Sequence, residues 1–335
     1  MSNAPTTTAE TKGLAANNTA TTVLTLAGTE DLGAGLKANF QLQLTPDFIS
    51  GNGVGGAGVN NTGTGQQAFV GLEGKFGDLK LGRVNTNALD AWGVGSVFGT
   101  AMGSGYGSNG NVFTRYSKSA AADNTSNQTA PTRFNRAIRY TTPAFSGLTG
   151  SLLIVPKVSG NTTDSTNQQG VTDIGLKYSN GPLNVAYANQ KIEQTGAVAV
   201  GNQLMGDGTA VLADGKSNKL SILSANYTIG AATVYGATWT EKQDTSTAMN
   251  TSGRMIGAKY VMGATTLMAS MGSSNEKSTA NVDKKIAGIG ADYALSKRTN
   301  LYARYDTRDA DTNVATDAAA SGVTKRTAFG VRHTF

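Results

Sequence analysis

Hydrophobic and polar residues alternate with a period of two along most of this chain. From Leu36 to Leu44 every even-numbered residue is apolar and every odd-numbered residue is polar or charged. Successive side chains of a β-strand point to opposite faces, so this pattern predicts a strand with one apolar face and one polar face. About fifteen such segments are predicted, at 20–32, 35–46, 65–77, 78–86, 133–143, 147–157, 170–180, 181–193, 216–230, 231–243, 251–263, 264–276, 283–296, 297–310 and 323–335. The chain is therefore predicted to be all-β, and it contains no apolar run of the roughly 18 residues that predict a transmembrane helix.

The connections between the predicted strands fall into two length classes. Within a pair of strands the connection is short and rich in turn residues, as at Ser179–Pro182 and Leu295–Arg298. Between pairs the loops are long and polar, at 47–64, 87–132, 194–215 and 311–322. Short turns at one end and long loops at the other are typical of an outer-membrane β-barrel, whose short turns face the periplasm. The polar faces carry Lys37, Lys80 and Arg304, which suits a water-filled lumen, and closure removes the exposed sheet edges.

Composition excludes several function classes. The 335 residues contain no Cys and one His, His333, so disulfides, Cys-based metal sites and the usual catalytic triads are not expected. We expect no enzyme activity, no cofactor and no metal. The net charge is +6, but Lys and Arg are dispersed along the chain, and no nucleic-acid surface is predicted. The glycine-rich run 53–58 lacks the flanking strand and helix of a phosphate-binding loop. Residues 1–19 lack a leader pattern, so export is expected to depend on a leader outside this sequence.

Five segments resemble, in the same order, signatures of Gram-negative general porins of the beta-proteobacterial type. They are Ala27–Ala38, Gln67–Arg83, Ala137–Gly147, Leu295–Tyr302 and Gly330–Phe335. The resemblance implies an antiparallel transmembrane β-barrel of sixteen strands, of which about fifteen are readable here. It also implies a homotrimer and a third loop, 87–132, that folds inward to narrow the pore. The implied function is passive diffusion of small hydrophilic solutes and ions through a water-filled channel.

The resemblance further implies a location and a set of partners. The protein is expected in the bacterial outer membrane, in contact with its lipid and lipopolysaccharide, with small ions and solutes passing through it. Phe335 resembles the terminal aromatic residue that the assembly machinery recognises in the last strand, and it also suits the aromatic girdle at the interface. A single barrel domain is expected over 20–335. The polar segment 1–19 either forms an irregular first strand or leaves that strand outside this sequence.

Charged residues at the narrowest point of a pore select the permeating ions. By resemblance, Arg133 occupies the position of a constriction arginine in anion-selective relatives. Arg139 has the same parity, so both are expected to face the lumen if no bulge intervenes, whereas Arg136 marks a bulge or faces a subunit interface. Between residues 79 and 122, Asp90 is the single carboxylate, against four cations, which are Lys80, Arg83, Arg115 and Lys118. We predict a modest anion preference, modest because Gln66 and Gln67 stand where relatives carry arginine.

Other interpretations remain open at this point. A substrate-specific channel of the same fold, for a small anion or a sugar, is the main alternative. A barrel enzyme is disfavoured by the lone His333, and a plugged structural or adhesive barrel is a third class. The acidic run at 306–311 is predicted to be a solvated surface, with weak calcium binding as its alternative. Trp92 and Trp239 are either interface anchors or loop-packing residues.

Overall fold

The structure is a computed structural model of the 335-residue chain. It describes residues 12–15, 19–46, 49, 66–106, 117–118, 133–157, 169–194, 204–205, 215–244, 250–277, 283–310 and 322–335. No helix among them is long and apolar enough to cross a membrane.

Within the described residues, fifteen antiparallel strands form one sheet, and each of these strands is hydrogen-bonded to the next in chain order. The strands are β1 (Leu24–Gly33), β2 (Leu36–Leu44), β3 (Ala68–Gly74), β4 (Gly77–Asn85), β6 (Arg133–Thr141), β7 (Leu148–Val155), β8 (Gln169–Asn180), β9 (Leu183–Gln194), β11 (Ser217–Ile229), β12 (Ala232–Gln243), β13 (Thr251–Met262), β14 (Thr265–Glu276), β15 (Lys284–Ala294), β16 (Thr299–Ala310) and β17 (Gly322–His333). A second, two-stranded sheet pairs β5 (Ser117–Lys118) with β10 (Leu204–Met205). Helix α1 spans Asn87–Gly95.

The period-two prediction is confirmed: each of the fifteen predicted segments corresponds to a strand of the sheet. Every short connection is at one end of the sheet, and the long loops are at the other. The sixteenth strand is not among the described residues, because 12–15 and 19–23 carry no strand. The remaining residues of the segment 1–19 lie outside the described part of the chain. With fifteen antiparallel strands, β1 and β17 run in the same direction.

The two faces of the sheet differ in what covers them. One face exposes large apolar side chains, such as Leu26, Leu223, Ile256 and Phe329. The other face is turned inward and contacts α1, which packs against β8, β9, β11, β12 and β13. An apolar face turned outward and an inserted helix are the reverse of a soluble β-sandwich, where the apolar faces meet in the core.

The prediction of polar inward faces is wrong at the long-loop end of several strands. Buried apolar side chains point inward there, and they form two clusters. One is built around Trp92, Trp239 and Ile222, and the other around Val84, Leu153 and Ile192. Period-two alternation identifies the two faces of a strand. It does not show whether a folded loop covers the inward face and excludes water from it.

Candidate functional site

The segment after β4 turns into the interior of the barrel. Thr86 caps α1, because its side-chain oxygen accepts a hydrogen bond of 3.1 Å from the backbone N–H of Leu89. Residues 96–106 continue from the helix in turns, and most of them are buried, with Thr100 exposed. We call residues 87–106 the inserted loop. The expected inward fold of the third loop is therefore visible over this described part of 87–132.

Aromatic packing holds the middle of the inserted loop against the wall. The Trp92 ring meets Trp239 of β12 edge-on at 5.5 Å between centroids, and it meets Tyr106 at 5.8 Å. Trp92 is fully buried, and its indole N–H donates to the carbonyl of Gly99 at 2.7 Å. Small wall residues such as Ala186 and Ala188 leave the space that the helix occupies. Of the two alternatives for Trp92 and Trp239, loop packing is the correct one.

A buried carboxylate anchors the start of α1. Asp173 of β8 is fully buried, and its Oδ2 accepts a hydrogen bond of 2.7 Å from the backbone N–H of Asn87. The Asn87 amide in turn donates to the carbonyl of Asp173 at 2.7 Å. A negative charge at a helix N-terminus is favoured by the helix dipole and by the free N–H groups there. This contact fixes the point at which the chain turns into the lumen.

A second buried carboxylate binds the C-terminal part of the inserted loop. The Oδ2 of Asp306 on β16 accepts a hydrogen bond of 3.0 Å from the backbone N–H of Gly103. Asp306 is fully buried and also accepts from Arg326 of β17, with Arg308 at 3.7 Å. Gly103 has a positive φ of 96°, and its Cα would be 2.7 Å from a Cβ placed at Gly288. Glycine is needed at both positions for this close approach.

The prediction of a solvated acidic run at 306–311 is therefore wrong for Asp306. Asp309 has the opposite parity on β16 and is exposed, whereas residue 311 lies outside the described residues. Within the described part of the chain no group of three His, Cys, Asp or Glu residues is placed to hold a metal ion. Asp306 instead binds the inserted loop, through its hydrogen bond with the backbone of Gly103.

Arg139 of β6 links the wall to the start of the inserted loop. Its guanidinium donates to Asp90 at 2.5 Å, to the side chain of Asn87 at 2.9 Å and to the carbonyl of Asn85 at 2.9 Å. The Asp90 side chain is 46% exposed and the Arg139 side chain 16%, so the pair borders open space. This pair brings two of the residues singled out in the sequence into direct contact.

A cavity of about 600 Å³ opens beside this pair, between the inserted loop and β6–β9. Polar side chains line much of it, among them Thr100, Thr141, Thr149 and Ser151. Its charged lining consists of Arg139, Lys177 and Asp90. Since Asp90 is paired with Arg139, Lys177 leaves the lining with a net positive charge.

A bulge interrupts the parity that relates Arg133 to Arg139. The register on β4 shifts between Gly82, opposite Ala137, and Val84, opposite Phe134. Arg136 lies in the bulge with a positive φ of 54° and is exposed, so it takes the bulge alternative. The shared parity of Arg133 and Arg139 therefore does not place Arg133 on the lumen face.

The charge of Arg133 nevertheless acts on the inserted loop. It interacts electrostatically with Tyr106 and Asp90, both of which belong to that loop. Burial raises the pKa of Tyr106 above its usual value, which keeps the phenol neutral. Arg133 and Arg139 thus both interact electrostatically with Asp90 of the inserted loop, although the alternation that predicted a shared face does not hold between them.

The other predicted cations occupy different places. Lys80 of β4 forms a salt bridge of 2.8 Å with Asp78 and lies over the Phe69 ring at 5.0 Å. Lys37 is exposed on β2, opposite Asp31 and Glu73 in register. Neither contact reaches the inserted loop.

Arg304 approaches the inserted loop from β16. It is almost fully buried, bound to Asp292 at 2.7 Å, and its guanidinium is 5.6 Å from the centroid of the Phe98 ring. Phe98 belongs to the inserted loop, so Arg304 helps hold that loop rather than standing in open water. Arg115 lies outside the described residues.

Sequence reasoning did not single out Asp173 or assign Asp306 to the loop. Both are acids on the inward parity of their strands. Asp173 lies between Val171 and Gly175 on that face, and this local contrast is the available sequence signal, whereas Asp306 lies between Arg304 and Arg308. The terminal Phe335 is fully exposed, and its ring meets His333 edge-on at 4.6 Å. His333 shares a hydrogen bond of 2.9 Å with Thr299, at the short-turn end of the sheet.

An antiparallel sheet with an outward apolar face and a loop folded into its interior defines the class of outer-membrane β-barrels with a narrowed lumen. Residues 1–313 match the model of the Gram-negative porin family. The chain therefore belongs to the Gram-negative porin family, and its location is the bacterial outer membrane.

Curated relatives and solved structures agree with this family. An outer membrane porin protein of Bordetella pertussis is 30% identical over 185 residues, which are 52% of this chain and 43% of that protein. The major outer membrane protein P.IA of Neisseria meningitidis serogroup C is 30% identical over 186 residues, 48% of this chain and 40% of that protein. The chain spans less than half of the length of these two relatives.

Two solved structures share the fold. An anion-selective porin from Comamonas acidovorans superposes with a TM-score of 0.72 at 23% identity, covering 95% of this chain and 90% of that one. The OmpF porin of Salmonella typhi in complex with daunomycin gives a TM-score of 0.68 at 16% identity, covering 98% and 93%. At these identities the similarity establishes the barrel fold.

Proposed function

We propose that the protein is a passive diffusion channel for small hydrophilic solutes and ions, with a modest preference for anions. The observation that carries this proposal is the cavity beside the inserted loop, whose lining includes the cations Arg139 and Lys177. Fixed cations at a narrow, water-filled point attract anions and repel cations. The loop fills one side of the lumen, and the polar side chains opposite it keep the rest wet.

Single-channel recording in a planar bilayer tests the channel activity. We expect steps of conductance that rise in proportion to salt concentration, because ions cross a wide aqueous pore by diffusion. A silent barrel would instead support a plugged structural or adhesive protein. Saturation of the current by one sugar or anion would support a substrate-specific channel.

The reversal potential tests the anion preference separately from the channel activity. Under a gradient of potassium chloride the reversal potential is expected to have the sign of chloride permeation. Raising the ionic strength should reduce the preference, because salt screens fixed charges over a Debye length of about 10 Å at 0.1 M. A reversal potential of the opposite sign would overturn this part of the proposal and leave the channel activity standing.

We extend the proposal to assembly. A homotrimer is the expected oligomer, as the trimer form of the Vibrio cholerae protein OmpT shows for one protein of this fold. The exposed Phe335 is proposed as the residue that the assembly machinery reads. Replacing Phe335 with Ala should lower the amount of folded protein in the outer membrane while refolding in detergent continues. Equal amounts of folded protein in the membrane would contradict this role.

A further inference from the structure

The inward face of β1–β3 carries a group of uncharged side chains that form hydrogen bonds. Three carboxamides follow one another at every second residue of β2, namely Asn39, Gln41 and Gln43, while the alternate residue Phe40 is exposed on the outward apolar face. Gln67 lies beside Gln43, whose backbone N–H donates to the Gln67 carbonyl at 2.8 Å. Side chains on one face of a strand recur about every 7 Å, so the carboxamides of β2 span about 14 Å. We call Asn39, Gln41, Gln43 and Gln67 the amide column.

Backbone groups fix the orientation of two members of the amide column. The side-chain oxygen of Gln43 accepts a hydrogen bond of 3.2 Å from the backbone N–H of Gln67, and that of Gln67 accepts one of 3.2 Å from the backbone N–H of Asn85. The Gln43 amide also donates to the hydroxyl of Thr25 at 3.4 Å. An amide nitrogen has two N–H groups, so each of these glutamines keeps at least one N–H for an acceptor in the lumen. Fixed donors bind a solute at a lower entropic cost than mobile ones.

Gln41, at the centre of the amide column, adds a complete carboxamide and an aromatic neighbour. Its side chain forms no hydrogen bond with a described residue, so it can both donate and accept. Phe69 lies directly opposite on β3, on the same inward face. The Phe69 side chain is half-buried, with the Lys80 ammonium 5.0 Å from the centroid of its ring. An apolar surface thus lies beside hydrogen-bonding groups within the width of one pair of strands.

Full charges around the amide column are few and compensated. Among the described inward residues of β1–β3, the charged ones form one row at the short-turn end, which consists of Asp31, Lys37 and Glu73. Lys80, beside Phe69, forms a salt bridge of 2.8 Å with Asp78. Helix α1 packs against β7–β9 and β11–β13, on other parts of the wall. The amide column therefore borders the part of the lumen that the helix leaves uncovered, and it meets a solute with dipoles rather than with net charge.

The chemistry of the amide column fits a neutral solute with many hydroxyl groups. A hydroxyl both donates and accepts hydrogen bonds, as a carboxamide does, and the C–H surface of a sugar ring packs against an aromatic face. An ion gains less, because it would exchange hydration water for dipoles that carry no full charge. A polyether chain has acceptors but no donors, so it uses only the amide N–H groups.

We propose that the amide column and Phe69 form a track that favours sugars among the neutral solutes that pass through the channel. This inference rests on the proposed channel function and names the solute class that this wall favours. The contacts are weak and repeated, so a sugar enters the lumen readily and still leaves it, which conduction requires. The track is separate from the cavity beside Arg139, whose lining comes from the inserted loop and β6–β9, and it therefore acts beside the anion preference.

Swelling of liposomes that contain the protein measures the passage of neutral solutes. The probes are sucrose and a polyethylene glycol of equal hydrodynamic radius, which lacks hydroxyl donors along its chain. Through the unchanged protein we expect sucrose to enter about threefold faster or more. In Q41L/Q43L the sucrose rate should fall to that of the polyethylene glycol, because each lost hydrogen bond between neutral groups lowers partitioning by about threefold. The single variant Q41L, which breaks no hydrogen bond between described residues, should give an intermediate rate.

The matched control is N300L, which removes a half-buried carboxamide from the inward face of β16 at the short-turn end. Its sucrose rate should equal that of the unchanged protein. Q41L/Q43L should also keep the reversal potential in a gradient of potassium chloride, because it removes no charge. A shifted reversal potential with an unchanged sucrose rate would assign the amide column to ions and overturn the proposal.

Equal rates for sucrose and polyethylene glycol in the unchanged protein, or an unchanged sucrose rate in Q41L/Q43L, would refute the sugar track. A rate for one disaccharide far above those of its stereoisomers would also refute it, in favour of a channel dedicated to that sugar. Conductance in potassium chloride, measured on the same proteins, verifies folding and separates this failure from that of the proposed function. A conducting channel without sugar preference refutes the track alone, whereas a silent barrel refutes the channel and the track together.

Discussion

Two parts of the barrel wall have the same outward chemistry and opposite inward chemistry. We call the inward faces of β8, β9 and β11–β13 the covered wall, and those of β1–β3 the open wall. The covered wall presents Ile222, Trp239 and Met255, which are almost fully buried against the inserted loop. The open wall presents Lys37, Asn39 and Gln41, none of which is buried. Both walls turn large apolar residues outward.

The difference shows that contact with the inserted loop, and not the barrel itself, determines which inward residues remain exposed to water. Burial against the loop makes the covered wall a packed interior, where apolar area contributes roughly 25 cal/mol per Å². The open wall remains in contact with water, where side chains are tolerant of change but their charges act on passing ions. Substitutions in the covered wall should therefore change stability, and those in the open wall should change selectivity.

The largest effect is expected from Trp92→Ala, which empties the centre of the loop packing. Truncating a fully buried tryptophan costs about 3–5 kcal/mol of unfolding free energy. Guanidinium unfolding in lipid vesicles, followed by the circular dichroism of the strands, measures this loss. The matching change in the open wall, Gln41→Ala, is expected to stay within about 0.5 kcal/mol. Equal losses for both variants would show that the two walls do not differ.

The next effect is expected from Asp306→Asn, at the far end of the inserted loop. The amide oxygen still accepts from Gly103, but the buried Arg308 and its neighbour Arg326 lose their counter-ion. The loss should be about 2 kcal/mol, since hydrogen bonds to charged groups contribute more than neutral ones. Adding Arg326→Gln should recover part of this loss in the same unfolding measurement. No recovery in the double variant would contradict coupling between the two charges.

A smaller effect on stability and a larger one on ion selectivity are expected from Arg139→Gln. Its ion pair with Asp90 is partly exposed, so about 1 kcal/mol or less of unfolding free energy is at stake. The free Asp90 carboxylate then faces the cavity, and the reversal potential should move toward cation permeation. Arg139→Lys keeps the charge and should keep the sign of the preference. An unchanged reversal potential in Arg139→Gln would place the selectivity elsewhere.

The smallest effect is expected from Lys37→Gln on the open wall. Stability should remain within about 0.5 kcal/mol of the unchanged protein, because the side chain is exposed. The reversal potential should shift slightly toward cations at low salt, and the shift should vanish as salt screens the charge. A shift as large as that of Arg139→Gln would mean that the open wall shares the narrowest point.

Much of the architecture could be predicted from the sequence because it depends on local patterns. The alternation in Leu36–Leu44 requires only that neighbouring side chains face opposite sides of a strand. Short turns such as Ser179–Pro182 and the long segment 87–132 require only loop lengths. The resemblance to porins implied that this segment folds inward, and the structure shows the inward fold over 87–106.

The details of the site could not be predicted in the same way. The bulge at Arg136 shifts the register between β4 and β6, and a register shift depends on the partner strand. In the sequence, Asp173 and Asp306 resemble ordinary acids of a lumen. Their role is not visible there, because their partners Asn87 and Gly103 are 86 and 203 residues away. Long-range contacts of this kind have no local sequence pattern.

The sequence by itself determined the strands, their two faces, the end that carries the short turns and the family. The tertiary structure determined which inward residues are buried, which acids bind the inserted loop and which arginines interact with it. The physical reason is that face and turn follow from backbone geometry over a few residues. Burial and charge pairing depend instead on where one loop packs against the sheet, and that position depends on many distant side chains at once.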